Sequence, residues 1–135
     1  MDTGPVSAQR QELIRDLWQR WNQGEREIDP AEVDPDAEVH SVLTRGTYCG
    51  YEGIKDWWAE IDDQFESWRL SIEEMSDLPG DRVLAIGYVH FRGRGSGVEF
   101  DQPIGWIVRF AGEKIAELTN YPDHARARAA AERSS

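Results

Sequence analysis

Hydrophobic positions recur first with the period of a helix and later with that of a strand. Between residues 7 and 23, Leu13, Ile14, Leu17, Trp18 and Trp21 fall at i, i+4 and i+8 spacings. That stripe predicts an amphipathic helix. Asn22-Gln23-Gly24 ends it, the glycine being free to take a left-handed cap. A polar stretch with Pro30 and Pro35 follows, with room for one short helical turn, and Asp36 to Leu43 then alternates as a short strand. From Gly50 to Glu66, Ile54, Trp58, Ile61, Phe65 and Trp68 are spaced by 4, 3, 4 and 3 residues, which predicts a second helix with one buried stripe. Glu60, Asp62, Asp63 and Glu66 fall on the other side as a solvated acidic face, not a metal site. Trp57, about 100° round the wheel from Trp58, belongs at the edge of the stripe.

After residue 68 the period becomes two. Strands are predicted over 68–76, 82–92, 98–110 and 114–121, joined by Pro79-Gly80-Asp81, by Gly93 to Gly97 and by Ala111-Gly112-Glu113. The run from Arg92 to Gly97 has neither dinucleotide nor P-loop spacing and joins two strands, so it is a hairpin tip. An alanine-rich helix from Pro122 to about Glu132 closes the chain. Helices followed by consecutive strands imply an α+β fold, residues 1–135 forming one domain with its core at about 8–131. In strand 82–92 both faces are largely apolar: Val83, Ala85, Gly87, Val89 and Phe91 on one side, Leu84, Ile86 and Tyr88 on the other. Helices packed on one face leave the other to a second copy, so a homodimer through the outer sheet face is expected.

The formal net charge of −11 disfavours nucleic acid and anionic membrane surfaces as partners. Cys49 is alone in Thr47-Tyr48-Cys49-Gly50, so it forms no intrachain disulfide and has no thiolate-stabilising neighbour in sequence. Without a signal-like start or a membrane-length apolar run, the expected location is the cytoplasm. What changes the picture most is the count of six tryptophans, an aromatic content suited to lining an apolar pocket.

The chain resembles the SnoaL-like branch of the nuclear transport factor two-like superfamily, the fold that also contains ketosteroid isomerases. The resemblance lies in Leu17-Trp18-Gln19-Arg20-Trp21-Asn22-Gln23-Gly24, Asp34-Pro35-Asp36-Ala37-Glu38 and Tyr48-Cys49-Gly50-Tyr51-Glu52-Gly53-Ile54, and continues in Gly95-Ser96-Gly97-Val98-Glu99, Lys114-Ile115 and Tyr121-Pro122-Asp123. It implies a cone-shaped, curved antiparallel sheet of nuclear transport factor two-like or cystatin-like type, wrapped around the N-terminal helices, with a short C-terminal helix and a pocket at the open end. Among isomerases of this fold a tyrosine lies five residues before the asparagine of Asn-x-Gly; here it is Leu17. The general-base aspartate, nineteen residues after that asparagine, falls on Ser41, and the protonated aspartate of the penultimate strand falls on Trp106. Leucine and tryptophan cannot replace those acids, and serine is too weak a base at neutral pH. The cyclase aspartate of the last strand aligns with Asn120, and no Arg-x-Asp of the epoxide-hydrolase kind occurs; Glu99-Phe100-Asp101 has that spacing with the wrong charge.

Strand parity turns Asp36, Glu38 and His40 away from Ser41, and turns Glu99, Asp101 and Arg109 away from Phe100 and Trp106. A bulge near Gly97 or Pro103 would reverse the second assignment. No two histidines have ligand spacing, so no metal site and no cofactor are expected. The positions expected to face the cavity are Leu17, Trp21, Ser41, Trp58, Phe100, Gln102, Ile104, Trp106 and Asn120, with Trp18 and Tyr48 at the rim. They suit a neutral apolar or aromatic small molecule, stacked on indoles and oriented by Ser41, Gln102 and Asn120. The alternatives are a SnoaL-like enzyme of cyclase, isomerase or epoxide-hydrolase type working through His40, Asp36 or Asp101, an interaction module that uses the fold as a scaffold, or a cone filled solid as core.

Overall fold

A computed structural model describes residues 4–42 and 46–133, with side chains over 8–42 and 46–132. Helix α1 (Gly4–Asn22) buries Ile14, Leu17, Trp18 and Trp21, the stripe its sequence predicts. Gly24 takes a positive φ of 85° just beyond it. Asn22 then fixes where the helix ends. Its side-chain amide donates to the carbonyl of Leu70 at 2.8 Å and accepts from the Leu70 backbone N–H at 2.7 Å, satisfying both backbone polar groups of one strand residue. Between Asp29 and Val33 the chain makes one turn, with the Glu32 and Val33 amides both donating to the Asp29 carbonyl.

Strands β1 (Val33–Ser41) and β2 (Gly46–Cys49) form an antiparallel pair. The predicted strand thus starts three residues early, and its far end, Leu43, lies outside the described residues. β2 was not expected; four residues between glycines give too short an alternation to register. Helix α2 (Gly50–Gln64) follows directly, and Phe65, expected on its buried stripe, instead opens strand β3 (Phe65–Leu78) with extended angles of φ −127° and ψ 143°. Pairing of Phe65 with Gly93 overrides the helical spacing. Trp68 likewise belongs to the sheet. Trp57 is as buried as Trp58, not marginal, because α2 is covered by β1 as well as by the sheet floor.

Strands β4 (Arg82–Gly93), β5 (Glu99–Ala111) and β6 (Lys114–Tyr121) complete a six-stranded sheet of order β2-β1-β6-β5-β4-β3. It is curved and unclosed, and mixed rather than wholly antiparallel, since β1 runs parallel to β6. The β4–β5 register is unbroken from Arg82↔Arg109 to Arg92↔Glu99 and passes Pro103 without a bulge. Parity therefore holds: Val83, Ala85, Val89 and Phe91 face the helices, and Tyr88, His90 and Arg92 face away.

The terminal helix α3 (His124–Arg133) changes one expectation. Ala127, Ala130 and Ala131 pack on the outer side of the sheet against Leu84, Ile86 and Ile107. The second apolar face of β4 is covered within the chain, so the premise that helices cover one face only does not hold. His124 is half-buried and donates through Nε2 to the Gly87 carbonyl at 2.7 Å, and the Asp123 carboxylate accepts from the Arg126 amide at 2.7 Å as an N-terminal cap. Alanine and glycine allow α3 to lie this close: a Cβ on Gly105 would stand 2.2 Å from that of Ala127. Gly105→Ala should therefore cost about 1–3 kcal/mol through overpacking. Ala127→Gly in the same chain should recover part of it, less the roughly 1 kcal/mol that glycine costs a helix. Thermal unfolding of the three variants checks this; an unchanged Gly105→Ala melt would mean that α3 is not seated there.

Candidate functional site

The inner face of the sheet and the two long helices enclose a cavity of about 40 Å³. Leu17, Trp18 and Trp21 of α1 and Ile54, Trp57 and Trp58 of α2 form its roof, and Val39 and Leu118 are part of its floor. Its mouth lies at the loop after α1, where the exposed Glu27 and Glu38 stand. Arg20 holds that loop: its guanidinium donates to both Glu32 carboxylate oxygens at 2.9 Å. The same bond raises the Arg20 pKa, against the opposing effect of burial.

Trp21 is the hub of the roof. It stacks on Trp18 at 4.8 Å and meets Trp57 and Trp58 nearly perpendicularly, with centroids 6.1 and 5.4 Å away. Trp18 in turn stands edge-on to Trp106 at 5.6 Å. These are the offset and T-shaped arrangements that the aromatic quadrupole favours. The indoles themselves thus fill most of the hollow, and the space left suits about one or two water molecules.

Polar groups on this side divide into satisfied and orphaned. Trp57 Nε1 donates to Ser41 Oγ at 3.0 Å, and Trp68 Nε1 donates to Asp62 at 2.9 Å. Asp62 also receives Arg26, at 2.6 Å, and Arg26 stacks on the Trp68 ring 4.3 Å from its centroid, so this part of the acidic helix face is a built network instead of a solvated one. Trp18 Nε1, Trp58 Nε1 and both amide atoms of Asn120 are buried with no hydrogen-bond partner among the described residues.

Of the residues expected to bind a ligand, Leu17, Trp18, Trp21 and Trp58 line the cavity. Ser41, Ile104, Trp106 and Asn120 are buried beyond its wall, Trp106 and Asn120 as cross-strand partners. Gln102 turns its amide to the Pro122 carbonyl at 3.2 Å. Phe100 is 45% exposed and lies against Phe65 and Phe91, and Tyr48 donates its hydroxyl to Glu60. Trp57 is the lining residue that periodicity alone misplaces.

The three candidate acids and bases lie elsewhere. Asp36 is exposed. Asp101 pairs with His90 on the outer face, and Arg92 approaches Glu99 at 3.8 Å. His40 Nε2 lies 3.0 Å from Glu117 and 3.3 Å from Glu38, and its Nδ1 is 3.2 Å from Thr47 Oγ1. The ligand atoms of Glu38, His40 and Glu117 all fall within 4.8 Å of one another, a grouping that these hydrogen bonds and the Arg109–Glu117 ion pair at 3.3 Å account for without a cation.

The fold agrees with comparisons to known proteins. A family model, the SnoaL-like domain, matches residues 12–118. The chain belongs to the SnoaL-like domain family. No curated protein matches it at a significant level. Among solved structures it is similar to a protein from Jannaschia sp. CCS1 named as a SnoaL-like polyketide cyclase, with 19% identity, TM-score 0.74 and coverage of 100% of this chain and 99% of the other. TerC, co-crystallised with polyporic acid, has 19% identity, TM-score 0.70 and coverage of 92% and 98%. A protein of ketosteroid isomerase-like fold from Catenulispora acidiphila, in complex with trimethylamine, has 20% identity, TM-score 0.69 and coverage of 90% and 92%. At these identities the likeness is one of fold.

In this SnoaL-like domain the inner buried surface rests on indole packing. Trp21→Ala, which removes the hub, should destabilise it by about 3–5 kcal/mol. Phe100→Ala, at a half-exposed position, should cost well under half of that. Denaturant unfolding of both variants tests the contrast; equal losses would show that Trp21 is not the centre of the packing.

Proposed function

We propose that this SnoaL-like domain binds a neutral, flat small molecule in the hollow beneath α1 and α2, and that it does so without the acid–base residues of the fold's isomerases. One observation carries this. Among the described residues, the buried polar or charged side chains are Ser41, Arg82 and Asn120, and Arg82 is occupied at the Pro79 carbonyl. The buried part of the inner surface therefore offers no carboxylate, imidazole or lysine to move a proton, and the carboxylates of the lining, Glu27 and Glu38, stand exposed at its mouth. What it offers is hydrogen bonding in waiting: two indole N–H donors and an amide with one donor side and one acceptor side. A complementary ligand carries more acceptors than donors, as a ring ketone with a neighbouring hydroxyl does. Family membership and small molecules held by two proteins of this fold, polyporic acid in TerC and trimethylamine in the Catenulispora protein, support binding as the role.

Ligand pockets usually enclose roughly 300–1,000 Å³, so at about 40 Å³ the hollow is too small to take such a molecule as it stands. Binding requires an indole of the roof to swing aside. Trp18 is the one that connects the cavity to Trp106 and hence to Asn120. Intrinsic fluorescence reports such a movement directly. Titration with planar hydroxyquinones and neutral aromatic ketones should give a saturable change in emission. Asn120→Leu should weaken binding about tenfold, a loss of about 1.4 kcal/mol, while raising the melting temperature, because an orphaned buried amide costs about 1–3 kcal/mol. A panel that produces no saturable change, or an Asn120→Leu variant that binds unaltered, would remove the proposal.

A further inference from the structure

On the opposite side of the sheet, Ser71, His90 and Asp101 form a hydrogen-bonded chain that the hollow does not use. His90 Nδ1 lies 2.6 Å from Asp101 Oδ1, and His90 Nε2 lies 3.1 Å from Ser71 Oγ. The sheet builds it: His90 faces Asp101 directly across β4–β5, and Ser71, the partner of Tyr88, is the diagonal neighbour on β3. An ionised carboxylate only accepts hydrogen bonds, so Nδ1 carries the proton. In that tautomer of the imidazole the Nε2 lone pair faces the Ser71 hydroxyl. Carboxylate on Nδ1 and hydroxyl on Nε2 is the connectivity by which a serine is activated for acyl transfer, on whatever fold it occurs. Tyr88 lies beside the imidazole, with ring centroids 6.5 Å apart and planes inclined by 29°. The site is open to solvent: Ser71 is half-buried, and the His90 and Asp101 side chains are 28% and 64% exposed. Arg69, exposed and directly opposite His90 on the same face, is the cation nearest in register for a developing oxyanion.

We propose that this outer face is a second site, which hydrolyses small uncharged carboxylic esters with Ser71 as nucleophile, His90 as general base and Asp101 as the positioning residue that fixes the tautomer. Ser71 Oγ bonds to the ester carbonyl carbon as its proton passes to Nε2. The carbon–oxygen bond to the alcohol breaks, and the alcohol leaves with that proton. Water then attacks the acyl-serine, His90 takes the water's proton and returns it to Oγ, and the acid departs; only water and ester are consumed. The flat face has no acyl-binding cleft, so small activated esters are its substrates, and the net charge of −11 disfavours anionic ones.

The test is hydrolysis of p-nitrophenyl acetate together with labelling by a fluorophosphonate and location of the label by mass spectrometry. The label should fall on Ser71, and the rate should drop at least tenfold in Ser71→Ala and in Asp101→Asn. Asp101→Glu should restore part of it, which a purely structural role for the carboxylate would not require. Ser71→Cys should be trapped as an acetyl thioester at residue 71, and Cys49→Ser, which removes the exposed native thiol, should hydrolyse at the original rate. Circular dichroism confirms that each variant is folded. A wild-type rate in folded Ser71→Ala, meaning the imidazole acts alone, overturns the proposal, as does a label absent or placed on another residue. Either result leaves ligand binding in the hollow untouched.

Discussion

The packing of Trp21 against three other indoles is the constraint from which the rest of the structure follows. Stacking on Trp18 fixes one face of that ring, and near-perpendicular contacts with Trp57 and Trp58 fix the others. Each such pair is worth about 0.5–1.5 kcal/mol beyond its buried area. Together they set the spacing of α1 from α2, and that spacing decides how far the sheet must curve to cover them. The Asn22 bond to the Leu70 peptide acts at the same end of α1, so the helix is fixed by packing along its side and by hydrogen bonds at its end. A hollow built this way closes on itself unless a ring moves, and its chemistry is limited to what rings and amides can do.

That limit explains the distribution of charge. An uncompensated ion in the hollow would lose its hydration with nothing to replace it. The ionisable groups therefore stand on the outer face or at the edges, where they form networks: His40 with Glu117 and Glu38, His90 with Asp101, Arg20 with Glu32, Arg26 with Asp62. Most of these pairs are partly solvated and contribute little stability one at a time. Their consequence is positional. They hold cross-strand registers and the loop at the mouth of the cavity, and they place catalytic side-chain types where substrates could reach them without entering the core.

Much of this was legible in the chain because two physical periods write it there. The stripes of α1 and α2 and the alternation of β4 to β6 are set by burial, and burial is what periodicity records. Parity along β5 likewise placed Asp101 opposite Phe100 and Trp106, since no bulge interrupts the register. The misses share a cause, contact with an element that local sequence does not name. Phe65 and Trp68 continue a helical spacing yet pair with β4, Trp57 lies off the stripe yet packs under β1, and α3 returns to cover Leu84 and Ile86. The size of the cavity was not legible either. Whether six tryptophans line a space or fill it depends on ring orientations, which spacing does not carry.

The two faces of one sheet thus follow opposite rules. On the inner side the Asn120 amide is buried with no hydrogen-bond partner among the described residues, and a buried amide in that state is a standing cost of about 1–3 kcal/mol. On the outer side His90 has a partner on each ring nitrogen. A group kept buried against its cost is suited to meeting a ligand, because an incoming molecule supplies the bond that the protein withholds. A group bonded at both nitrogens is suited to moving a proton, because its tautomer is already set. On these two proposals recognition belongs to the hollow and proton transfer to the exposed face, with Trp106 and Asp101, five residues apart on β5, facing opposite ways.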